Sequence, residues 1–254
     1  MDNWKNKEQN KAKAIEHTGL MNMLHSQEIS RSVNTTEVFT NVPDQELTCN
    51  PDQIYMNMDS VSALYSLCNE KIDRVCILNF ASYKWPGGMF MEGSMAQEES
   101  LCHESDLYNI LSSKRFEEYY EWNNQHKNHA LYTNRALYIP DVVFTRDYEL
   151  KADVLTCAAP NYSVAGRYQG ISREGNLLVL KDRVRFIASI LDRKKVQVFI
   201  AGAFGCGVFG QRAADVAQIW KETNFGSDLR KILHPVPGKD VNSRAFEERF
   251  SKHE

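Results

Sequence analysis

The 254-residue sequence has no long hydrophobic run, since no unbroken apolar stretch reaches the roughly 18 residues from which a membrane-spanning helix is recognised. Residues 1–17 are mostly polar and lack the apolar core of a secretory signal peptide. These two absences predict a protein with neither a membrane span nor a signal peptide, and with no membrane partner.

An excess of positive charge is also missing. The 30 Lys and Arg residues are outnumbered by 33 Asp and Glu residues, which gives a net charge of −3. This balance provides no electrostatic reason to expect general binding to nucleic acid or to an anionic membrane. Hydrophobic residues make up 43% of the chain and charged residues 25%, with only 7 prolines. The composition is typical of an ordinary soluble protein, and the length fits one domain or one domain with an extension.

The sequence lacks a metal-binding pattern. Its 6 cysteines are scattered, and no two of them form a CxxC pair. Cys102 and His103 are adjacent, but neighbouring side chains on a helix diverge by about 100°, so the two cannot easily share a metal. The pattern favours reduced, packed thiols in a cytoplasmic protein, and we expect no metal and no cofactor.

What the sequence does contain is a series of apolar runs that alternate with amphipathic stretches. Runs of strand length predict buried strands at 75–80, 153–157 and 196–200. Apolar residues at helical spacing predict helices over 97–111 and 176–191, and one or two further helices within residues 2–31. Strands that alternate with helices predict an α/β fold, with a sheet covered by helices on both faces.

The first chemical signal is a strand, a glycine loop and a helix start in direct succession. The strand ends at Phe80, the loop contains Gly87 and Gly88, and the helix opens with Glu98 and Glu99. Glycines let backbone N–H groups approach a ligand closely, and a helix N-terminus adds unpaired donors and a partial positive charge. Acidic residues in a first helical turn are commonly explained by the helix dipole alone. Their place beside a glycine loop favours a role in a ligand site.

A second glycine loop, AGAFGCGVFG at 201–210, follows the apolar run that ends at Ile200. Its spacing fits a loose G-x-x-G-x-G and not the G-x-G-x-x-G of dinucleotide dehydrogenases, and no acidic residue ends a following strand. Ligands of open α/β sheets bind at the carboxyl ends of the strands, so we expect the two loops to converge on one cleft. Two such loops indicate a ligand with both a sugar and a diphosphate.

Four separated motifs resemble one known family. Gly87-Gly88-Met89, then seven residues, then Gln97-Glu98-Glu99, is similar to the catalytic signature of microbial-type poly(ADP-ribose) glycohydrolases in the macrodomain superfamily. Asn79-Phe80-Ala81, the stretch LTCAAPN at 155–161 and the loop GAFGCGVFG resemble that family too, and the likeness covers roughly residues 50 to 250. Two positions depart from its usual pattern. Met89 stands where the third glycine is usual, and Ser82 stands where an Asn is common.

The resemblance implies a three-layer α/β/α macrodomain with a mixed, mostly parallel sheet over residues 51–254, and an N-terminal helical extension over 1–50 packed on it. It implies an ADP-ribosyl glycohydrolase in which Glu99 is the catalytic acid and base and Glu98 holds ribose hydroxyls or the leaving group. The expected partner is ADP-ribose, or a protein or nucleic acid that carries it, and the expected state is a monomer. The two loops and the strand ends beside them supply the expected substrate-binding residues, which are Gly87, Gly88, Met89, Gln97, Asn79, Ser82, Gly202, Phe204, Gly205, Cys206, Gly207, Val208, Phe209 and Asn161.

Two other readings are compatible with a glycine-rich α/β domain. One is a non-catalytic macrodomain that binds ADP-ribose or a related nucleotide as a reader or sponge. Glu98 and Glu99 favour the enzyme, because a pure reader has no need of two acids beside the ribose. The other is a nicotinamide-dependent dehydrogenase, which is disfavoured because the required turn and acidic residue are missing.

Overall fold

The computed structural model describes residues 2–41 and 46–251, so the outermost limits predicted for the two regions, residues 1 and 254, lie outside it. The strands are β1 (Glu37–Phe39), β2 (Asp52–Met56), β3 (Val75–Phe80), β4 (Ala136–Phe144), β5 (Leu150–Cys157), β6 (Val198–Ile200) and β7 (Lys231–Pro235). The α-helices are α1 (Asp2–Thr35), α2 (Ser60–Ser66), α3 (Gln97–His103), α4 (Leu107–Leu111), α5 (Glu117–Gln125), α6 (Tyr162–Tyr168), α7 (Arg173–Arg193), α8 (Ala213–Glu222) and α9 (Val241–Phe250). Among the helices so described, none combines the length and apolar composition of a transmembrane segment.

The seven strands form one sheet in the order β1-β4-β5-β3-β6-β7-β2. The pairs β3–β6, β6–β7 and β7–β2 are parallel, with Ile77 opposite Ile200 and Phe199 opposite Ile232. Parallel neighbours require crossover connections, which the intervening helices supply. The predicted α/β class with a mostly parallel sheet is confirmed.

The predicted elements match most closely where the local pattern is strong. Strand β3 has the predicted bounds, 75–80, whereas β5 begins earlier, at Leu150, and β6 is shorter, from Val198 to Ile200. Helix α7 extends beyond the predicted 176–191 at both ends. Its earlier start follows from Ser172, which caps the helix by accepting a hydrogen bond from the backbone N–H of Gly175. The inward face of α7 is buried as its spacing predicts, at Leu180, Val184, Ile187 and Leu191.

The single helix predicted over 97–111 is wrong. The chain forms α3 and α4 instead, with a break between them at residues 104–106. In the break, the N–H of Asp106 donates to the carbonyl of Val143, and Asp106 Oδ1 accepts from the N–H of Val143 at 3.0 Å. The carbonyl of Glu104 accepts from the N–H of Thr145. These backbone groups are bonded to the end of β4 and its continuation, so they cannot continue the helical ladder.

Two compact units make up the chain. The first contains residues up to 38, 79–126 and 137–157, and the second contains 39–78, 127–136 and 158 onward. In the first unit, α1 packs on α3 and α4, since His17 Nε2 lies 2.9 Å from the carbonyl oxygen of Ser105 and Asn109 donates to the carbonyl of Thr18. Non-helical backbone at His25 divides α1 in two. The predicted division between residues 50 and 51 stays a prediction.

In the second unit, buried polar side chains fix the segments that surround the second glycine loop. Arg183 on α7 is fully buried, donates to the carbonyl of Ala158, and donates from Nε to Asn134 at 2.6 Å. Gln211 donates to the carbonyl of Pro160 at 2.8 Å and exchanges hydrogen bonds with Asn176. Because buried amide and guanidinium groups are costly unless paired, these bonds define the positions of the connected segments.

Candidate active site

In the first unit, the first glycine loop is fixed at the point where β3 ends. The side-chain oxygen of Gln97, the first residue of α3, accepts a hydrogen bond from the backbone N–H of Phe80 at 2.9 Å. Ser82 Oγ accepts from the N–H groups of Lys84 and Trp85. Gln97 and Ser82 therefore use hydrogen-bonding atoms to shape the loop, and their predicted contacts with substrate stay predictions.

A tight turn brings the backbone of this loop onto the acids. The N–H of Gly88 donates to the carbonyl of Trp85 at 3.2 Å, and both Gly87 and Gly88 have positive φ values, +66° and +61°. A Cβ at Gly88 would lie 2.7 Å from Oε1 of Glu99 and 2.9 Å from Oε2 of Glu98. Gly88 thus meets two requirements at once, a left-handed backbone and contact with both carboxylates. Met89 follows at φ −108°, which any residue adopts, so the departure from the family's third glycine causes no backbone strain.

Glu98 is buried, and both of its carboxylate oxygens are bonded. Oε1 accepts from Asn79 Nδ2 at 3.1 Å, and Oε2 accepts from the N–H of Ser82 at 2.6 Å. Burial raises the pKa of Glu98 to about 8, although the N–H donors of Ser82, Asn79 and Gly87 oppose the rise. Glu98 is therefore a carboxyl group held in one position, with a pKa raised by burial.

Glu99 is also buried but is held at one oxygen only. Its Oε1 accepts from the N–H of Met89 at 2.9 Å, and within the described chain its Oε2 accepts no hydrogen bond. Successive side chains on a helix diverge by about 100°, yet both carboxylates reach Gly88. The difference between them is the number of bonded oxygens.

Several residues that organise this site were missed by sequence reasoning. Thr156 lies within a quoted family motif but was not assigned to the site, and its Oγ1 accepts from Asn79 Nδ2 at 3.2 Å. On α5, Asn123 donates to the carbonyl of Tyr83 and Asn124 donates to that of Lys84. No local pattern identifies these side chains, because their partners lie about 40 residues away along the chain.

In the second unit, the second loop has its own pattern of backbone constraint. Gly202, Gly205 and Gly210 have positive φ values. A Cβ at Gly205 would lie 2.7 Å from the Cβ of Ala159 and 2.9 Å from Cγ of Gln211, and one at Gly210 would collide with Ser163. Gly207 does not have a positive φ, and a Cβ there would meet nothing within 4 Å. Gly207 therefore borders open space.

The remaining candidates in the second unit differ in exposure. Val208 is 83% exposed, whereas Phe204 is fully buried and contributes packing. Phe209 is half-buried and lies edge-on to the ring of Tyr132 at 6.0 Å. Burial raises the pKa of the Cys206 thiol to about 12, which disfavours the thiolate form. Asn161 caps α6 by accepting from the N–H of Val164, and its substrate contact stays a prediction.

A metal site is not found in the part of the chain that the structure describes, where no group of three or more His, Cys, Asp or Glu side chains has a suitable arrangement. What the first unit presents is a pair of buried carboxyl groups against an open backbone turn. Such a pair can exchange a proton with a ligand oxygen.

Comparison with models of known protein families shows which family this chain belongs to. The family described as "Microbial-type PARG, catalytic domain", where PARG is poly(ADP-ribose) glycohydrolase, matches residues 6–147, more than half of the chain. The chain belongs to this family. A search of curated proteins gives no match. Membership of the microbial-type PARG family confirms the predicted macrodomain-type fold and the predicted enzyme class, an ADP-ribosyl glycohydrolase.

Solved structures agree with the PARG fold. The chain is 23% identical to PARG from Thermomonospora curvata, with a TM-score of 0.84, and the match covers 96% of this chain and 100% of that one. It is 26% identical to PARG from Deinococcus radiodurans in complex with ADP-ribose, with a TM-score of 0.76, over 87% of this chain and 96% of that one. A third structure, of the Thermomonospora enzyme bound to the inhibitor ADP-HPD, is 24% identical over 96% of this chain and 100% of that one, with a TM-score of 0.84.

Proposed function

We propose that this PARG family member hydrolyses the bond between ADP-ribose and a macromolecule with Glu99 as the acid and base. The observation that supports the assignment is the unequal bonding of the two acids. A group that transfers a proton needs an oxygen that can reach the ligand, and Oε2 of Glu99 accepts no bond from any described residue. Both oxygens of Glu98 are occupied.

The proposed reaction follows from the chemistry of glycosides. Glu99 donates its proton to the glycosidic oxygen as the bond from that oxygen to C1″ of the ribose breaks, and the electron pair leaves with the oxygen. An oxocarbenium-like ribose remains. Water then attacks C1″ and gives a proton to Glu99, which restores the acid. Glu98 holds ribose hydroxyls or the leaving group, and Asn79 belongs to the same hydrogen-bonded group.

Release of free ADP-ribose tests this function directly. The protein is incubated with poly(ADP-ribose), and with proteins and nucleic acids that carry ADP-ribose through acidic side chains, serine, arginine or a base. We expect release from at least one of these substrates. If the protein binds ADP-ribose and releases it from none of them, it is a reader and the enzymatic proposal fails.

The first expected binding result concerns the length of the ligand. We propose that the second loop, residues 202–210, holds the diphosphate, because it offers exposed backbone and open space at Gly207. ADP-ribose should therefore bind in the micromolar range and far more tightly than AMP, which lacks the diphosphate-linked ribose. Isothermal calorimetry measures both affinities, and equal values for the two ligands would contradict the assignment.

A second expected result shows whether a glycine in this loop leaves room for the ligand or is required by the backbone conformation. Replacement of Gly207 by Leu should weaken ADP-ribose binding by roughly tenfold or more at unchanged melting temperature, because the side chain enters open space that the diphosphate needs. A positive φ is not the reason, since Gly207 has none.

Gly205→Ala is the matched contrast. Its Cβ would meet Ala159 and Gln211, and its φ is +77°, so this variant should lose stability. Calorimetry and thermal unfolding of both variants distinguish the two effects. Full ADP-ribose affinity in a folded Gly207→Leu variant would show that this loop is not the diphosphate site.

We also propose a protein or nucleic acid as the modified macromolecule, a monomeric state and a cytoplasmic location. The scattered reduced cysteines support the cytoplasmic location, and the net charge of −3 gives no attraction to an anionic membrane. Light scattering on the purified protein tests the monomer, and a dimer mass would contradict it. Cell fractionation tests the location, and recovery with the membrane fraction would contradict it.

A further inference from the structure

The first glycine loop exposes three large apolar side chains. Trp85 is 56% exposed, Met89 is 49% exposed and Met95 is 54% exposed, all within eleven residues of one another. Single exposed apolar residues are common and need no explanation. Three in one loop whose backbone contacts two buried acids of α3 indicate a surface with an occupant.

Two of these three residues, Trp85 and Met89, use their backbone groups in the hydrogen bonds that surround the two acids. The N–H of Met89 donates to Oε1 of Glu99, so the Met89 side chain belongs to the same residue whose backbone holds the proposed acid. The carbonyl of Trp85 accepts from the N–H of Gly88, the residue that contacts both carboxylates. Met95 has neither connection, because none of the bonds to Glu98 or Glu99 comes from it.

The position of Glu99 determines which part of the substrate lies near Met89 and Trp85, namely the leaving group. If Glu99 delivers a proton to the leaving oxygen, the group attached to that oxygen must be within a few ångströms of the Glu99 carboxylate. Met89 and Trp85, whose backbone groups are bonded to Glu99 and Gly88, carry exposed side chains close to that position along the chain. This step rests on the proposed function of Glu99.

The chemistry of the two side chains favours a planar, apolar partner. An exposed indole stacks on nucleobases, and a thioether makes favourable contacts with aromatic ring edges. In poly(ADP-ribose) the leaving oxygen belongs to the ribose of an adenosine, so an adenine ring is attached to the leaving group. A peptide acceptor linked through serine or an acidic side chain carries no such ring at this position.

We propose that Trp85 and Met89 form a leaving-group subsite that binds the adenosine of the next ADP-ribose unit and makes the enzyme selective for polymer. The backbone does not require methionine at position 89, because its φ of −108° is one that any residue adopts. The pair determines specificity and takes no part in proton transfer.

Polymer hydrolysis by single variants tests the subsite. Trp85→Ala and Met89→Ala should each lower kcat/KM for poly(ADP-ribose) by roughly tenfold, chiefly through a higher KM, because each removes a contact with the departing base. Trp85→Phe should retain most of the activity, since a ring remains. Met95→Ala is the matched control, an equally exposed methionine of the same loop with no bond to the acids, and it should behave as wild type.

Affinity for ADP-ribose is the second readout, since this product lacks the leaving group. It should be unchanged in Trp85→Ala and Met89→Ala, and an equal loss of product affinity would overturn the proposal by placing the pair against the retained ribose. Wild-type polymer hydrolysis in both variants would also overturn it. So would a selective loss on a mono-ADP-ribosylated peptide, which would show that the surface accepts a peptide.

Failure of the proposed function gives a different result. Wild-type protein that releases no ADP-ribose from polymer, or a Glu99→Gln variant that is fully active, refutes the role of Glu99 and the subsite with it. Wild-type activity that Glu99→Gln abolishes, together with full activity in Trp85→Ala and Met89→Ala, refutes only the subsite.

Discussion

Glu99→Gln should lower the rate of ADP-ribose release by about 10²–10⁴-fold, the usual contribution of general acid–base catalysis. The amide preserves the size of the side chain and its carbonyl oxygen can still accept from the N–H of Met89. What it removes is the proton that the leaving oxygen needs. Single-turnover hydrolysis of the preferred substrate measures the loss, and calorimetry should show little change in ADP-ribose affinity.

Glu98→Gln is the control for this experiment because it alters the adjacent carboxyl. Both oxygens of Glu98 accept hydrogen bonds, from Asn79 and from the backbone of Ser82. An amide nitrogen at either position would face an N–H donor, so this variant should lose affinity as well as rate. If Glu98→Gln loses rate alone while Glu99→Gln remains active, Glu98 is the acid. The raised pKa of Glu98, about 8, makes that outcome physically accessible.

The elements that sequence alone predicts well are those whose pattern is local. The apolar run 75–80 is a strand with those bounds, and Gly87 and Gly88 have the positive φ values expected of a glycine turn beside a ligand site. The proximity of the acids to the turn also follows from the sequence, because they lie within thirteen residues of each other. A short chain segment cannot place them far apart.

Features that depend on distant partners were not predictable. The break between α3 and α4 exists because the backbone at Asp106 bonds to Val143, 37 residues later, and nothing in the helical pattern records that bond. The same is true of the second loop. Gly205 and Gly207 are indistinguishable in a G-x-G spacing, yet only Gly205 packs against Ala159 and Gln211. These contacts involve residues distant in sequence, so the spacing of the glycines does not reveal them.

Gly88→Ala should reduce activity by at least about 10²-fold, the order of loss expected when catalytic groups are displaced by about 1 Å. The added Cβ would lie 2.7 Å from the Glu99 carboxylate and 2.9 Å from that of Glu98, well inside contact distance, so both side chains must move. The positive φ of +61° adds backbone strain of about 1–2 kcal/mol. Activity and thermal unfolding are measured on the same preparation.

Gly170→Ala separates the two effects, since Gly170 has nearly the same φ, +66°, and its Cβ would meet nothing within 4 Å. This variant carries the backbone strain without displacing a carboxylate, so it should lose a similar amount of stability and keep full activity. Gly88→Ala could lose only as much stability as Gly170→Ala and keep its activity. In that case the carboxylates tolerate displacement, and their contact with Gly88 is not part of catalysis. If activity falls only in Gly88→Ala, the close approach of backbone to both acids is the reason for glycine at this position.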